Sequence, residues 1–476
     1  IERGNKGVWH RRQTELAGQR LLDMQEHFAN VRCVVIEEKS MVGCFMLWCI
    51  DQRLRQARPH HSDQMFGGLT VILVGDLSQL PPVTDKPLFC EDNEALTAPQ
   101  TQGRALFHMF KDCYYLTESM RQQGASNEQF RQQLTRMATG KFSIDDWHSW
   151  LPRSVDNLPD EERTRFLNEG VKLCSRKVDM VPFNEAGLLR CNSPILLMKA
   201  AHNDKKAEQC TETEGEGLAK VLPVARGAQI VLTENLWPEA GLYNGSMGTV
   251  TYILFDEGKG PAQDLPAFIV VTFPEYTGPP FIPGEPGTVP IFTRTADWTK
   301  DGMQCIRRMF PLLLAWALTI HKSQGMTIDK PVIVDVGPAE FAPGMTYTAV
   351  TRVRNFTGLA FQPMPSFNRI VKIFEKKGFK AKQKVMKKRQ ADAQGLADAQ
   401  QEALQVPAEP TVTASGTVDL TKDNAYDEPD MHQSLVAGQV CSFPPNERGE
   451  IQIYMRDYRL LRQTEKLNDV LIKFGL

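Results

Sequence analysis

Two strand-like apolar runs in this chain each end in a cluster of polar residues and glycine. Residues 69–74 lead into the GDLSQ segment at 75–79, and residues 309–320 lead into the HKSQG segment at 321–325. In parallel α/β folds, the carboxyl end of a strand is where ligands meet the sheet. Because the two strand ends are far apart along the chain, they predict two α/β lobes that face one shared cleft.

Composition is that of an ordinary globular chain of 476 residues, long enough for two to four domains. The net charge of -2 means that any nucleic-acid contact must come from a local cleft or segment. The ten cysteines include no C-x-x-C pair, which favours a reduced intracellular compartment over a disulfide framework. The longest apolar run, residues 309–320, is too short to span a bilayer, so we expect no membrane partner.

The pattern of apolar runs divides the chain into segments. A βαβα rhythm predicts a parallel sheet in residues 1–114, and a second α/β region covers residues 115–248 and resumes at 309–368. Short strand-like runs between Gly/Pro turns predict a small β-barrel inserted at 249–308. The remaining segments are a basic stretch at 369–390, an acidic linker predicted to be disordered at 391–445, and folded-looking sequence at 446–476.

Two adjacent acids, Glu37 and Glu38, follow the strand-like run of residues 33–36. A nucleotide hydrolase needs one carboxylate near Mg²⁺ and a second that orients or deprotonates the attacking water. Successive residues at a strand end can both project into one crevice. Two exposed acids at a strand terminus are the alternative interpretation, and the acids alone do not decide between them.

The polar clusters after the other strand ends carry groups suited to phosphates. Gln79 can sense a γ-phosphate or position water, although an ordinary polar turn is the alternative. Residues 321–325 offer donors for phosphate oxygens, and Gly325 permits close backbone approach. For these residues the alternative is a helix N-terminal cap with a solvated lysine.

Arg121 and Arg352 each follow an apolar segment. A guanidinium that reaches across a cleft can stabilise charge on a transferring phosphoryl group, an effect worth about 10³–10⁵ in rate. Any single arginine is more often part of a surface salt bridge, so the pair is only a hypothesis without further context.

In order and spacing these segments resemble the Pif/RecD-like branch of superfamily 1 DNA helicases, over about residues 15–362. The acidic strand resembles the family's Mg²⁺-binding motif, and GDLSQLPPV (75–83) resembles the coupling motif that follows it. LTESMRQ (116–122) resembles the first arginine motif of the second RecA-like lobe. GLYNGSMG (241–248) is similar to the family's GLVNGSxG stretch, and the C-terminal motor motifs are similar to AWALTIHKSQGMTID (315–329) and YTAVTRV (347–353).

The resemblance implies an α/β fold of two RecA-like lobes, with a small SH3-like β-barrel inserted in the second. It also implies an ATP-driven 5′-to-3′ motor on single-stranded DNA and duplex junctions, with Mg²⁺ as cofactor. Its cellular context would be DNA repair, recombination, telomere-type maintenance or replication of mobile elements. The nucleus is the expected compartment, and the mitochondrion is the alternative.

The resemblance further implies a role for each candidate residue. Glu38 would be the general base, Glu37 would hold Mg²⁺ through water, and Gln79 would couple the γ-phosphate to DNA. Arg121 and Arg352 would act as arginine fingers. Further nucleotide contacts would come from Gly75, Asp76, Gln324 and Gly325, and DNA-backbone contacts from Thr319, His321, Lys322 and Ser323. Together these roles predict that Glu38, Gln79 and Arg352 converge on one triphosphate pocket.

The sequence departs from the family pattern in two places. Glu37 stands where the family usually has aspartate, and the extra methylene shifts the Mg²⁺-water contact by about 1 Å. Residues 1–476 also contain no G-x-x-x-x-G-K-[ST] loop, the usual anion-binding anchor for β- and γ-phosphates. We therefore expect this chain alone to be inactive as an ATPase, and we expect that loop to precede Ile1 in the complete protein.

Two other functions stay open. One is a module that binds single-stranded nucleic acid without turning over ATP. The other is a helicase joined through the acidic linker to a cysteine peptidase, because LNDVLIKF (467–474) resembles the opening of SUMO-protease-like peptidases. That fusion would add a ubiquitin-like protein as partner. The basic stretch at 369–390 fits a nuclear-localisation signal, a DNA-gripping segment or a solvated helix extension.

Overall fold

The computed structural model describes residues 15–91, 95–261, 264–338, 340 and 342–405, with side chains to residue 395, and the backbone of four short terminal strands. The chain divides into two compact units. The first unit comprises the described residues of Ile1–Leu77, Pro81–Met120 and Lys377–Leu476, and the second comprises Ser78–Leu80 and Arg121–Lys376. No helix of the described residues is long and apolar enough to cross a membrane.

Eleven helices and twenty strands are named here in chain order, all within the part of the chain just defined. The helices are α1 (Gln19–Phe28), α2 (Cys44–Ala57), α3 (Ala98–Met109), α4 (Glu128–Thr139), α5 (Ile144–Trp150), α6 (Asp160–Glu169), α7 (Lys177–Arg190), α8 (Lys205–Gln209), α9 (Met345–Val350), α10 (Phe367–Val371) and α11 (Lys377–Gln405). The strands are β1 (Glu2–Arg3), β2 (Trp9–His10), β3 (Cys33–Ile36), β4 (Thr70–Leu73), β5 (Val171–Cys174), β6 (Leu196–Lys199), β7 (Ala201–His202), β8 (Val221–Val224), β9 (Gln229–Leu232), β10 (Met247–Leu254), β11 (Phe268–Thr272), β12 (Thr288–Ile291), β13 (Arg294–Lys300), β14 (Met303–Met309), β15 (Leu312–Leu314), β16 (Ala317–Thr319), β17 (Val332–Asp335), β18 (Leu359–Phe361), β19 (Gln439–Phe443) and β20 (Ile451–Tyr454).

The first unit contains the predicted parallel pairing, between β3 and β4, which confirms the α/β assignment. Its core packs one face of α2 and the side of α3 against these strands, with Leu47, Leu54 and Phe107 among the buried residues. Helix α3 begins with a complete capping box in which Thr97 and Gln100 bond each other's backbone amides. Such a box satisfies two of the amide groups that a helix start leaves without partners.

The second unit is built on a four-stranded parallel sheet in the order β16-β5-β17-β18. Strand β5 precedes the β-rich insertion and β16 follows it, so the sheet joins the two halves of the predicted lobe. Its strands bury continuous apolar runs such as Val332, Ile333 and Val334, as expected for a parallel sheet covered on both faces. The HKSQG segment follows directly from β16, at the carboxyl edge of this sheet.

The β-rich insertion contains a five-stranded antiparallel sheet in the order β12-β11-β10-β9-β15 and a three-stranded sheet in the order β13-β14-β7. It begins with β6, earlier than the predicted boundary at residue 249, and it includes β15, beyond the predicted end at 308. The runs that form β6, β8 and β9 are only four residues long. Periodicity cannot separate runs this short from buried segments of an α/β lobe.

Within the insertion, a fully buried arginine on β14, Arg307, connects this strand to the short helix α8. Its guanidinium donates to the ring Nε2 of His202 at 3.0 Å and to four backbone carbonyls, those of Thr211, Leu218, Ala207 and Cys210. Burial lowers the pKa of this arginine. Only a planar group with five donors can satisfy so many acceptors from one strand position, so lysine would not replace it.

The C-terminal segments differ from the expected layout in one respect. Helix α11 continues to Gln405, past the predicted start of the linker at residue 391. Residues 391–405 are rich in Ala and Gln, which are good helix formers, and this explains the extension. Apart from β19, the rest of the linker and the peptidase-like LNDVLIKF segment lie outside the described residues.

Candidate functional site

In the first unit, the ends of β3 and β4 bring the two acids next to the GDLSQ segment. The amide of Val74 donates to the carbonyl of Ile36 at 2.8 Å, and the amide of Lys39 donates to the carbonyl of Val74 at 2.9 Å. Between them, the Glu37 side chain is exposed and the Glu38 side chain is half-buried. Both acids therefore lie at the carboxyl edge of the parallel pair, where ligands meet such sheets.

Glu38 has an unusual backbone conformation, with φ 48° and ψ 45°. Residues other than glycine adopt this left-handed region rarely, and the conformation costs about 1–3 kcal/mol. Strain of this kind concentrates at functional sites. It turns the chain sharply after β3, so that the short helix at Lys39–Met41 can follow.

Gly75 allows the two strand ends to approach closely. Its φ is 133°. A Cβ at this position would lie 2.8 Å from the amide nitrogen of Lys39 and 3.2 Å from the Cα of Glu38. Glycine is therefore required for Glu38 and Asp76 to share one edge, and the structure brings Glu37, Glu38, Gly75 and Asp76 together in the first unit.

Lys39 lies beside these residues, and it was not among the predicted site residues. Burial lowers its pKa, the cation of Arg389 lowers it further, and the carboxylate of Asp76 opposes both effects. Lys39 is therefore a partly desolvated cation within electrostatic reach of Asp76. Its position directly after two acids, in the string EEKS, was the available signal.

The acidic edge fits the manner in which nucleotide enzymes hold Mg²⁺. No group of three or more His, Cys, Asp or Glu side chains arranged for a metal occurs among the described residues. Magnesium, however, keeps several waters and usually takes only one or two carboxylates, with substrate phosphates as the other ligands. One exposed carboxylate at a strand end, such as that of Glu37, is sufficient for this mode.

In the second unit, Arg352 connects residues from separate motifs. It is 1% exposed. One terminal nitrogen donates to Oε1 of Gln79 at 3.4 Å and to Oγ1 of Thr351 at 2.8 Å. The other donates to the backbone carbonyls of Ser323 and Met326, at 3.4 and 3.2 Å. A single guanidinium therefore joins the coupling-motif glutamine to the HKSQG turn.

The segment that carries Gln79 is tightly seated in the second unit. Gly344, at the start of α9, has a φ of 90°, and a Cβ there would lie 2.4 Å from the carbonyl oxygen of Ser78 and 2.6 Å from that of Gln79. The next residue, Leu80, is fully buried in the core that includes Phe130. Gln79 is therefore positioned by backbone contact and by core packing on either side.

Arg121 and Gln122 also hydrogen-bond to the chain segment that contains Arg352. Arg121 donates from Nε to Oγ1 of Thr327 at 2.8 Å and from a terminal nitrogen to the carbonyl of Thr351 at 3.0 Å. Gln122, which is buried, donates to the carbonyl of Val353 at 2.7 Å. The two arginines predicted as a functional pair thus both donate to Thr351, Arg121 to its carbonyl and Arg352 to its hydroxyl.

The HKSQG turn presents Lys322 and His321 at the end of β16. The ammonium of Lys322 donates to Oδ1 of Asn244 at 2.7 Å, and its backbone amide donates to Oγ1 of Thr319 at 3.2 Å. Burial lowers the pKa of both Lys322 and His321. For His321, burial thus favours the neutral imidazole over the charged form.

The remaining residues of the turn have different surroundings. Ser323 is fully buried and its hydroxyl donates to the carbonyl of Ile320 at 2.9 Å, so in this structure it supports the turn. Gln324 is half-buried, and Gly325 is exposed. Asn244, which pairs with Lys322, was not among the predicted site residues. Its place at the centre of the GLYNGSMG segment was the signal that could have identified it.

Sequence comparison matches residues 11–146 to the family described as PIF1-like helicase. The zebrafish protein named ATP-dependent DNA helicase PIF1 is 29% identical over 339 residues, which cover 70% of this chain and 46% of that protein. The human protein of the same name is 27% identical over 348 residues, covering 72% and 48%. The chain is therefore similar to PIF1-like helicases over about 70% of its length. It spans about half the length of the curated relatives that it matches.

Solved structures of PIF1-like helicases share the fold. Pif1 helicase from Candida albicans superposes with a TM-score of 0.55 at 21% identity, over 75% of this chain and 78% of that one. Bacteroides Pif1 bound to single-stranded DNA gives 0.51 at 24% identity, over 76% of each chain. The mixed α/β fold of this chain thus matches that of the Pif1 helicase structures.

Proposed function

We propose that the complete protein is an ATP-dependent DNA helicase that moves 5′ to 3′ on single-stranded DNA and unwinds duplex at junctions. The relatives that cover most of this chain are named ATP-dependent DNA helicases, and Bacteroides Pif1 has been solved with single-stranded DNA. The observation that carries the proposal is the contact of one buried guanidinium, that of Arg352, with both Gln79 and the HKSQG turn. Through that contact, the glutamine proposed to sense the nucleotide and the turn proposed to bind the DNA strand hydrogen-bond to the same side chain.

On the nucleotide side, Glu38 would act as general base toward the attacking water, and Glu37 would hold Mg²⁺ through a water molecule. The metal, when bound, would neutralise charge on the β- and γ-phosphates. Gly75 and Asp76 form the adjacent edge, where a phosphate can approach the backbone without meeting a Cβ. The left-handed conformation of Glu38 holds its carboxylate at this edge before any ligand binds.

The coupling step would run through Arg352. In the described structure its donors are satisfied by Gln79 and by backbone carbonyls of the turn. A γ-phosphate near Gln79 would compete for the same donors, because a charge-assisted bond is about twice as strong as a neutral one. Loss of the bonds to Ser323 and Met326 would loosen the turn that presents Lys322. Arg121 would add a second cation at the same segment.

On the DNA side, Thr319, His321 and Lys322 would contact the phosphate backbone, with Ser323 supporting them and Gln324 and Gly325 turned toward nucleotide. The lowered pKa of Lys322 indicates a desolvated ammonium. A phosphate oxygen would offset that desolvation better than the amide oxygen of Asn244 does. Contacts of this kind position a strand without reading its sequence.

A role in DNA repair, recombination or telomere-type maintenance, in the nucleus, is part of the proposal and is supported only by the helicase class of the relatives. The peptidase-like tail and its ubiquitin-like partner stay predictions from the sequence.

Replacing Lys322 with alanine tests the DNA side in the chain as given. We expect Lys322→Ala to weaken binding of a labelled oligo(dT) about 10-fold, because one charge-assisted bond to phosphate is lost. Fluorescence anisotropy measures this directly. Lys330→Ala is the matched control, since burial also lowers the pKa of Lys330 and its ammonium also donates to an amide, that of Gln229, at 2.8 Å. Equal affinities for the two variants would contradict the assignment of Lys322.

A further inference from the structure

The start of α11 contains a dense group of positive charges that the proposed motor does not use. Between Glu375 and Asp392 the sequence has no acidic residue. In that interval, residues 377–389 contain seven cations: Lys377, Lys380, Lys382, Lys384, Lys387, Lys388 and Arg389. A solvated helix extension would leave all of them similarly exposed. The structure instead divides them between two faces.

The inner face of α11 is docked on the first unit. Lys382 is 3% exposed, and its ammonium lies 4.2 Å from the ring centroid of Phe379. Arg389 stacks 4.1 Å above the ring of Phe107 and donates to the carbonyls of Phe107 and Phe110, both at 3.0 Å. Phe379 and Ala381 are also buried. This face fixes the orientation of the helix about its axis.

The outer face carries the other five cations, all of which are exposed. At 3.6 residues per turn they fall within an arc of about 100° and extend over about 16 Å along the helix. We call this group the lysine stripe; its members are Lys377, Lys380, Lys384, Lys387 and Lys388. Because the inner face is held by packing, the stripe is presented as a fixed row rather than as a flexible tail.

The spacing of the stripe suits a nucleic-acid backbone. Along the axis of B-form DNA each strand has one phosphate about every 3.4 Å, so five lysines over about 16 Å match the charge density of one strand. An anionic membrane surface is a poorer partner, because a helix that lies in a membrane needs its apolar face for the lipid. Here that face is already buried against Leu77 and Phe89.

We propose that the lysine stripe is a second, sequence-independent site for the phosphate backbone of DNA, formed by the exposed face of α11. For the identity of the strand it rests on the proposed function, but it requires no ATP hydrolysis. A site of this type adds affinity that depends strongly on salt and carries no sequence preference.

The test compares two five-fold variants of the whole chain that remove equal charge. The first replaces every member of the stripe with glutamine, which preserves helix propensity. The control replaces five exposed lysines outside α11 with glutamine: Lys111, Lys141, Lys199, Lys205 and Lys259. Anisotropy gives the affinity for an oligo(dT) of about 20 nucleotides and for a duplex of the same length, across about 50–200 mM salt. Circular dichroism and thermal melting establish that both variants are folded.

On single-stranded DNA, the slope of log affinity against log salt should be less steep by about 3.5 in the stripe variant. This number is the sum of five phosphate contacts that each contribute about 0.7 to the slope. The unvaried chain should then lose about 100-fold more affinity than the variant over that salt range. The control variant should have the same slope as the chain without substitutions. A flattened slope on the duplex alone would also support the site and would assign it to double-stranded DNA.

The stripe proposal would be overturned if the slope were the same for the chain without substitutions, the stripe variant and the control. The motor proposal would not be affected by that result. Loss of nuclear import with an unchanged slope would likewise overturn it, in favour of a transport receptor. If the unvaried chain bound neither DNA, both proposals would fail. If Lys322→Ala had no effect while the stripe variant did, only the assignment of the HKSQG turn would fail.

Discussion

Glu38→Gln in the complete protein is expected to lower kcat for ATP hydrolysis by about 10²–10⁴-fold while single-stranded DNA binding is retained. Glutamine keeps the size and hydrogen-bonding capacity of the side chain but cannot accept a proton from water. The strained backbone at Glu38 and its approach to Gly75 hold this carboxylate at the edge of the sheet, where a reacting phosphate would bind. A coupled assay of phosphate release, run with saturating oligo(dT), measures kcat.

The matched control is Glu26→Gln, an exposed acid on α1 of the same unit. It changes the net charge by the same amount and should leave kcat within about two-fold, as surface substitutions usually do. Unchanged turnover in Glu38→Gln would remove Glu38 as the base. A large loss in Glu37→Gln with no loss in Glu38→Gln would reverse the roles proposed for the two acids.

Arg352→Lys is expected to reduce DNA-stimulated turnover by about 10³-fold in the complete protein, close to the effect of removing an arginine that stabilises phosphoryl transfer. Lysine keeps the charge but cannot reach Gln79, Ser323 and Met326 at once, because it lacks the planar fork of donors. We expect the effect on kcat to exceed the effect on DNA affinity. Steady-state ATP hydrolysis with and without oligo(dT), together with anisotropy, separates the two.

Arg354→Lys provides the comparison two residues away. Arg354 is exposed and forms a surface salt bridge with Asp329. Such a salt bridge contributes little to the free energy of unfolding. This variant should behave as the unvaried protein in both assays. Thermal melting of Arg352→Lys must show a folded second unit. A folded Arg352→Lys protein with unchanged DNA stimulation would contradict the coupling role.

The sequence was sufficient to predict the parallel sheets and the strand ends that carry the site. Residues 332–334 are a continuous apolar run that is fully buried, as in a parallel sheet covered on both faces, whereas the apolar run at 33–36 is only partly buried. The residue types after those strands, two acids, an amide and a row of donors, are few and chemically distinctive. Glu38 with Gly75, and Gln79 with Arg352, are accordingly close in the structure.

Other features depend on tertiary contacts that leave little trace in the sequence. Nothing in the pattern of charges distinguishes Lys382 and Arg389, which are packed against aromatic rings, from their exposed neighbours on α11. Asn244 became significant only because the chain places it 2.7 Å from Lys322. The early start of the β-rich insertion at β6 reflects antiparallel pairing with β8, a contact between two four-residue runs. Local periodicity cannot specify such a partner.

The measurement that tests the central claim most directly is the rate of ATP hydrolysis by the complete protein with and without single-stranded DNA. If Arg352 links the γ-phosphate side to the strand-binding turn, single-stranded DNA should raise kcat by at least about 10-fold, a coupling of about 1.4 kcal/mol. That increase should disappear in Arg352→Lys. Equal turnover in the presence and absence of DNA would contradict the account.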